Sequence, residues 1–201
     1  MESIRAALPV AAARRIGALR IVALENISAN EVLSARYAAL RQRGALGRQY
    51  EWLARYAAAE HLNGLELTVH VDDRAYDFLR SHVEERDGAY VLRDDTGDDA
   101  LELFRPFSFP VLSTSKLAME RYAREHGFLS QMELTWFCHR PWWGEPCGTC
   151  APCRFTIAEG LERRLPIRGR IRYRLRHVED FGRGIVRRLR GKRLASADDD
   201  S

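Results

Sequence analysis

Four cysteines fall within sixteen residues of this 201-residue chain and carry its strongest chemical signal. They form a C-x8-C-x2-C-x2-C pattern. Thiolates are soft ligands that favour tetrahedral zinc, and Gly148 and Pro152 permit the sharp bends that bring closely spaced sulfurs to one ion. Four thiolates leave no coordination position for water or substrate. The pattern therefore predicts a structural zinc site whose ligands are Cys138, Cys147, Cys150 and Cys153.

These cysteines could instead form two disulfides or bind a [4Fe-4S] cluster. Whether disulfides are favoured depends on the compartment in which the protein resides. The longest apolar run near the start, residues 6–13, is far shorter than the roughly 20 residues needed to span a bilayer. It is closed by Arg14-Arg15, and Glu2 dilutes the positive start, so no signal peptide is expected. We predict a cytoplasmic protein without a membrane partner, and a reducing compartment disfavours disulfides. The spacing alone leaves zinc and an iron–sulfur cluster open.

The net charge of +4 is unevenly distributed along the chain. Residues 154–193 contain 14 Lys and Arg against 4 acids, whereas residues 1–153 contain 18 against 21. Such a basic segment can bind an anionic partner such as nucleic acid, although a solvated tail set by overall composition is the alternative. Aromatic side chains near the cysteines could stack on a base or pack against the sheet. They are Trp136, Phe137, Trp142 and Trp143.

The segments before the cysteines predict an α/β fold with a mostly parallel sheet and flanking helices. The acidic run 93–99 lacks EF-hand spacing and predicts a solvated loop rather than a calcium site. We expect an α/β domain over 1–165, with a zinc knuckle at 138–153, and an Arg-rich extension with an acidic end over 166–201. The predicted elements are a helix at 6–15, a strand at 19–24, two helices within 35–62 separated near Gly44 and Gly47, a strand at 65–71, a helix at 75–83, a strand at 101–107, and a helix that begins at Ser113–Ser115 and closes at Gly127.

Four motifs stand out in the second half of the chain. They are Phe-Pro-Val-Leu-Ser-Thr-Ser-Lys at 109–116, the helix end His126-Gly127, Thr-Trp-Phe-Cys at 135–138 and Pro-Cys-Gly-Thr-Cys-Ala-Pro-Cys at 146–153. Together they resemble the C-terminal half of 7-cyano-7-deazaguanine synthases. In that family a Ser-Lys pair begins a helix, and Thr-x-x-Cys precedes a Cys-Gly-x-Cys-x-x-Cys zinc knuckle with the same eight-residue gap. The resemblance covers about residues 101–160, with a looser match over 6–24.

The resemblance implies a Rossmann-like sheet of the adenine-nucleotide α-hydrolase type and an ATP-dependent carbon–nitrogen ligase of queuosine biosynthesis. Members adenylate the carboxylate of 7-carboxy-7-deazaguanine, add ammonia, and dehydrate the amide to the nitrile in a second ATP-consuming step. The implied cofactors are zinc, ATP and magnesium, and a homodimer is the implied assembly. The residues that we place near substrate or nucleotide are Lys116, His139 and Arg154. A solvated Lys116 is the alternative, and His139, beside Cys138, could also replace a thiolate ligand.

The chain also departs from that family. The family's ATP site depends on a Ser-Gly-Gly-x-Asp-Ser loop, whose glycines let backbone N–H groups approach the pyrophosphate. This sequence contains no Gly-Gly dipeptide, Walker loop or G-x-G-x-x-G motif. In addition, Phe137 stands where a small Ser is usual, and residues 30–100 have no clear counterpart. We therefore assign no catalytic residue.

Two functional hypotheses follow. In the first, the chain is the zinc-bearing portion of such a ligase, either truncated or one chain of a split enzyme. It is then inactive alone, and ATP and magnesium bind only when a complementary ATP-binding chain is supplied. In the second, it is a non-catalytic, zinc-stabilised binding protein of the same scaffold that engages nucleic acid or a partner protein through its Arg-rich tail.

Overall fold

The computed structural model of the chain describes residues 2–176, which are of mixed α/β structure and form two compact units. The first unit contains Pro9–Tyr122, and the second contains Glu2–Leu8 together with the described residues from Ala123 onward. Most of the Arg-rich extension, including its acidic end, lies outside the described residues. The predicted boundary at 165/166 therefore stays a prediction.

The N-terminal segment differs from its prediction. The expected helix over 6–15 is divided into α1 (Glu2–Ala7) and α2 (Val10–Ala13) at Pro9, which has no N–H to donate to a helix. The strand predicted at 19–24 is wrong, because residues 17–23 have no ladder partner within 2–176 and a 3-10 helix follows at Leu24–Asn26. Apolar, β-branched composition favours a strand, but a strand forms only where another strand is available to pair.

The two helices predicted for 35–62 form, although the first begins four residues earlier than predicted. They are α3 (Glu31–Arg43) and α4 (Gln49–Ala59). The side chain of Asn30 caps α3 by accepting a hydrogen bond from the Leu33 N–H at 3.1 Å, and Gly44 ends the helix. Both helices pack on a 3-10 helix at Asp99–Phe104, so together they supply much of the first unit's core.

A four-stranded mixed sheet lies in the first unit, in the order β1-β4-β3-β2. Only β1 and β4 pair in parallel, whereas β4–β3 and β3–β2 are antiparallel, so the mostly parallel sheet that we predicted is wrong. An Asp87-Gly88 turn with φ of 51° and 79° joins β2 to β3, as a type I′ turn requires. The strands are β1 (Leu65–Glu66), β2 (Val83–Arg86), β3 (Ala89–Leu92) and β4 (Phe107–Phe109).

The helix and the two strands predicted around this sheet are shorter than expected or displaced. The strand predicted at 65–71 is paired only at its first two residues, and the helix predicted at 75–83 is the short α5 (Tyr76–Leu79). The strand predicted at 101–107 is wrong over most of its length, because the 3-10 helix precedes β4. Phe104 of that helix packs edge-on against the rings of Tyr50 and Phe109, with centroids 5.6 Å and 6.3 Å away.

The acidic loop carries ion pairs with α3 instead of a calcium pattern. Asp98 binds Arg43 and also caps the 3-10 helix by accepting the Ala100 N–H at 3.1 Å, while Asp99 binds Arg36 at 2.6 Å. The hydrogen bond from Arg43 lowers the pKa of Asp98, and that from Arg36 lowers the pKa of Asp99. Part of this loop is therefore tied to the fold.

The predicted helix after residue 113 is confirmed as α6 (Lys116–Glu125). Ser115 Oγ accepts the Ala118 N–H at 3.2 Å, and the chain turns at Gly127, whose φ is 74°. Further along are α7 (Leu129–Glu133), α8 (Ala151–Ala158), a 3-10 helix at Glu162–Arg164 and a helical segment over 167–176. None of the helices within residues 2–176 has the length and apolar character needed to cross a bilayer.

Candidate metal centre

The four cysteines converge in the second unit. Cys138 lies on the loop after α7, Cys147 and Cys150 lie on the loop before α8, and Cys153 lies in its first turn. All four Sγ atoms are within 4.8 Å of one another, with 3.9 Å between Cys138 and Cys150 and 4.0 Å between Cys147 and Cys153. Zinc with four Zn–S bonds of about 2.3 Å places its sulfurs about 3.8 Å apart. The sulfurs are thus positioned to hold one metal ion.

The state and the separations of the four sulfurs distinguish a single ion from the two alternatives, which are two disulfides and a [4Fe-4S] cluster. All four cysteines are free thiols, so no disulfide is present among them. A [4Fe-4S] cluster inserts a cube of iron and sulfide between its four thiolates, which requires a wider tetrahedron than one ion does. Separations near 4 Å therefore favour a single tetrahedral ion.

Hydrogen bonds from the knuckle stabilise the thiolate form of Cys147. Its Sγ accepts the N–H groups of Thr149 and Cys150 at 3.4 Å and 3.3 Å, and the Thr149 hydroxyl at 3.5 Å. Burial raises the pKa of Cys147, but these hydrogen bonds outweigh burial and lower the pKa to about 6. The loop conformation thus prepares one ligand for a cation.

Burial removes more solvation from the thiolates of Cys138 and Cys153 than their hydrogen bonds replace. Burial raises the pKa of both thiols, although Cys138 Sγ accepts the Cys147 N–H at 3.3 Å and the Gly148 N–H donates to Cys153. A coordinated cation deprotonates a thiol outright. A bound ion would therefore supply the charge that keeps all four sulfurs ionised.

The helical segment 167–176 packs directly on the knuckle. At Gly148, whose φ is 81°, an added Cβ would lie 1.9 Å from the carbonyl oxygen of Gly169. Arg172 Nε donates to the carbonyl oxygen of Cys147 at 2.8 Å, and Leu165 is buried in one cluster with three of the cysteines. The Arg-rich extension predicted from residue 166 thus begins with a helix that the prediction does not include. Apolar residues at every fourth position, 167, 171 and 175, were the sequence signal for it.

The other predicted site residues lie outside the thiol cluster. Lys116 begins α6 in the first unit, and its backbone N–H donates to Asp72 at 3.1 Å. His139 and Arg154 belong to the second unit, where both are exposed. Within residues 2–176 neither contributes an atom to the metal-competent cluster. Their contact with substrate or nucleotide stays a prediction.

The aromatic residues divide between packing and exposure. Phe137 packs on the thiol cluster and lies beneath the Arg164 guanidinium, 4.9 Å from its ring centroid. Trp136, Trp142 and Trp143 are exposed instead, and Trp136 Nε1 donates to the Cys138 carbonyl at 2.7 Å. Phe137 thus packs within the second unit, on the thiol cluster, and packing of these aromatic residues against the sheet stays a prediction.

The centre that the described residues could form is closed. One metal ion bound there would have four sulfur ligands, and three of the four cysteines are buried, so no coordination position would face a substrate. A bound ion would therefore act as a cross-link between the 138 loop, the 147–150 loop and α8. No protein-family model, no curated protein and no solved structure matches the chain.

Proposed function

We propose that the four cysteines hold one structural zinc ion and that the chain is the zinc-bearing portion of a ligase similar to 7-cyano-7-deazaguanine synthases. The observation that carries the zinc proposal is the pair of sulfur separations, 3.9 Å and 4.0 Å, close to the edge of a ZnS4 tetrahedron. Zinc there cross-links the loops and does no chemistry on a substrate.

The ligase proposal is supported by the order of elements around the resembling motifs. Strand β4 leads into α6, which begins at the Ser115-Lys116 pair, and Thr135 precedes the knuckle by the family's spacing. The parallel pair β1–β4 is the part of the sheet that we relate to the Rossmann-like, nucleotide α-hydrolase type. We propose that an ATP-binding partner chain supplies the Ser-Gly-Gly-x-Asp-Ser loop that this sequence lacks.

The reaction proposed for such a pair balances in two stages. The substrate carboxylate attacks the α-phosphorus of ATP and releases pyrophosphate, and ammonia then displaces AMP to give the amide. The amide oxygen then attacks the α-phosphorus of a second ATP and releases pyrophosphate, and it leaves with AMP as the amide nitrogen gives up its two protons and the nitrile forms. Both stages need a phosphate cradle, so we expect this chain alone to form no nitrile.

Metal analysis tests the zinc proposal separately from the ligase proposal. We expect one zinc per purified chain, lost in Cys147→Ser together with solubility. Replacement by cobalt should give the intense visible bands of tetrahedral Co(II) thiolates. Two results would overturn the assignment. One is metal retained at full stoichiometry in both Cys147→Ser and Cys150→Ser, and the other is bound iron with a rubredoxin-like or cluster spectrum.

The ligase proposal is tested by adding the missing loop in trans. A polypeptide bearing Ser-Gly-Gly-x-Asp-Ser, from a reading frame beside this one, is mixed with the zinc-loaded chain, 7-carboxy-7-deazaguanine, ATP, magnesium and ammonia. Mass spectrometry should detect the nitrile only when both chains are present. If the mixture forms neither amide nor nitrile while zinc remains bound at one equivalent, the ligase proposal is wrong and the structural zinc stands.

A further inference from the structure

A surface beside the metal centre combines exposed tryptophans with arginines, and the proposed ligase function does not use it. We call it the Trp–Arg face, composed of Trp142, Trp143, Arg168, Arg172 and Arg176. All five residues belong to the second unit. Trp142 is 52% and Trp143 is 83% exposed. Tryptophan is usually buried to a large extent, so two adjacent exposed indoles indicate a binding surface.

The backbone holds Trp143 outward in an unfavourable conformation. Trp142 and Glu145 exchange backbone hydrogen bonds of 2.9 Å and 3.0 Å, and φ is 49° at Trp143 and 76° at Gly144, which is a type I′ turn. The first central position of such a turn favours Asn, Asp or Gly, and a bulky side chain at positive φ is strained. The Trp143 ring lies 5.9 Å from the Trp142 ring, but Trp143 remains 83% exposed, so packing offsets little of this strain, as at sites where strain serves binding.

The arginines of the face are aligned with this turn. Arg172 lies over the Trp142 ring, 4.5 Å from its centroid, and the bond of Arg172 to the Cys147 carbonyl fixes the guanidinium in place. Arg168 and Arg176 stand one turn before and after Arg172, about 6 Å apart along the helix axis at each step. No carboxylate within residues 2–176 forms an ion pair with these three arginines.

We propose that the Trp–Arg face binds single-stranded nucleic acid, with an unpaired base stacked on Trp143 and backbone phosphates bound to Arg168 and Arg176. An indole platform beside a line of arginines matches the chemistry of single-strand binding, where aromatic rings stack on bases and a basic track follows the backbone. A duplex hides the faces of its bases, so the aromatic part of the surface selects a single strand. This inference does not depend on the ligase proposal.

The first test replaces the stacking ring without harming the turn. Asn-Gly is the preferred type I′ pair, so Trp143→Asn removes the indole and relieves the strain. Binding of the zinc-loaded full chain to fluorescein-labelled 12-mers of oligo-dT and oligo-rU is followed by anisotropy. We expect Trp143→Asn to weaken binding by about 5- to 100-fold, the effect of losing one stacked base. Trp143→Tyr, which keeps an aromatic ring, should retain most of the affinity.

The second test uses two arginines of equal charge on different helix faces. Arg168→Gln should lower the slope of log affinity against log salt by about 0.7, the value for one phosphate contact on a single strand. Arg174 lies on the side of the helix opposite Arg172, so Arg174→Gln should leave the slope unchanged. Equal effects of the two variants would assign binding to diffuse charge and overturn the proposal.

Three other outcomes would also overturn the proposal. One is wild-type protein that binds neither oligonucleotide at low salt. Another is unchanged affinity in Trp143→Asn, which would assign binding to residues other than the Trp–Arg face. The third is self-association of the chain that Trp143→Asn dissociates while no oligonucleotide binds. The face would then be an interface between copies.

Discussion

Replacing Gly148 by alanine tests whether the helical segment 167–176 is part of the metal centre. An added Cβ would lie 1.9 Å from the carbonyl oxygen of Gly169 and 2.6 Å from its carbonyl carbon. Because the obstacle is helix backbone, no change of rotamer relieves the overlap. The segment would have to move by about 1.5 Å to regain van der Waals separation, and Arg172 would lose its bond to Cys147.

The size of the effect follows from two costs. The left-handed conformation at Gly148, with φ of 81°, costs alanine about 1–2 kcal/mol, and overpacking adds about 1–3 kcal/mol. We expect Gly148→Ala to lower the free energy of unfolding of the zinc-bound chain by about 2–5 kcal/mol. Gly144 is the matched control, because its φ is 76° and no atom lies within 4 Å of the added Cβ. Gly144→Ala should therefore cost only about 1–2 kcal/mol.

The assay is urea unfolding followed by tryptophan fluorescence, with zinc release measured in parallel by a chromophoric chelator. The difference between the two variants, about 1–3 kcal/mol, isolates the contact with the helix. Gly169→Ala approaches the same contact from the other side, with its Cβ 2.8 Å from the Pro146 carbonyl oxygen. Helix propensity alone would stabilise that variant by about 1 kcal/mol, so a net loss is diagnostic. Equal losses for Gly148→Ala and Gly144→Ala would refute the packing of segment 167–176 on the knuckle.

Two further predictions concern titrating groups. Thr149→Val removes the hydroxyl bond to Cys147 and so raises the pKa of that thiol above about 6, and protons should therefore displace zinc from the variant at a higher pH than from wild type, measured as the pH midpoint of zinc release to a chromophoric chelator. Thr149→Ser keeps the hydroxyl and should keep the midpoint, and an unmoved midpoint in the valine variant would contradict the assignment. Asp98→Asn keeps the helix cap but loses the charge that binds Arg43, and should cost about 0.5–1 kcal/mol at neutral pH. Because the pKa of Asp98 is lowered in the folded state, this stabilisation is present above about pH 4 and is lost as the pH falls through the folded value. Wild type and variant should thus converge as the pH falls, and a difference that stays constant from neutral pH into acid would exclude the ion pair as its cause.

The convergence of the four cysteines could be predicted from the sequence because the information for it is local. The ligands are named by residue type, and three of them lie within seven residues, so the chain has few ways to separate them. The end of α3 and the start of α6 could be predicted for the same reason. Gly44 ends the first helix, and the hydroxyl of Ser115 caps the second.

The sheet could not be predicted in the same way. Residues 19–24 and 101–107 have the composition of strands, but pairing depends on partners distant in the chain. Strand β1 pairs with β4 across some forty residues, and each has only two or three residues in the ladder, so neither carries a long alternating pattern. The β2–β3 hairpin was missed although Asp87-Gly88 is a strong turn signal, because His82 and Val83 also fit a helical spacing.

The contact between knuckle and helix shows how the ion and the Trp–Arg face depend on each other. The buried cluster of the second unit consists of cysteines and Leu165, with Phe137 and Ile157 at its edge, which is too little apolar surface to order a loop-rich segment without a cross-link. The turn that carries Trp142 and Trp143 lies inside the eight-residue gap between Cys138 and Cys147, so ligands fix both of its ends. Arg172 reaches the same ligand loop from the helix. If zinc binds the four cysteines and the Trp–Arg face binds nucleic acid, as we propose, a purely structural ion would still govern that binding, because it would hold the exposed indoles at a fixed distance from Arg172.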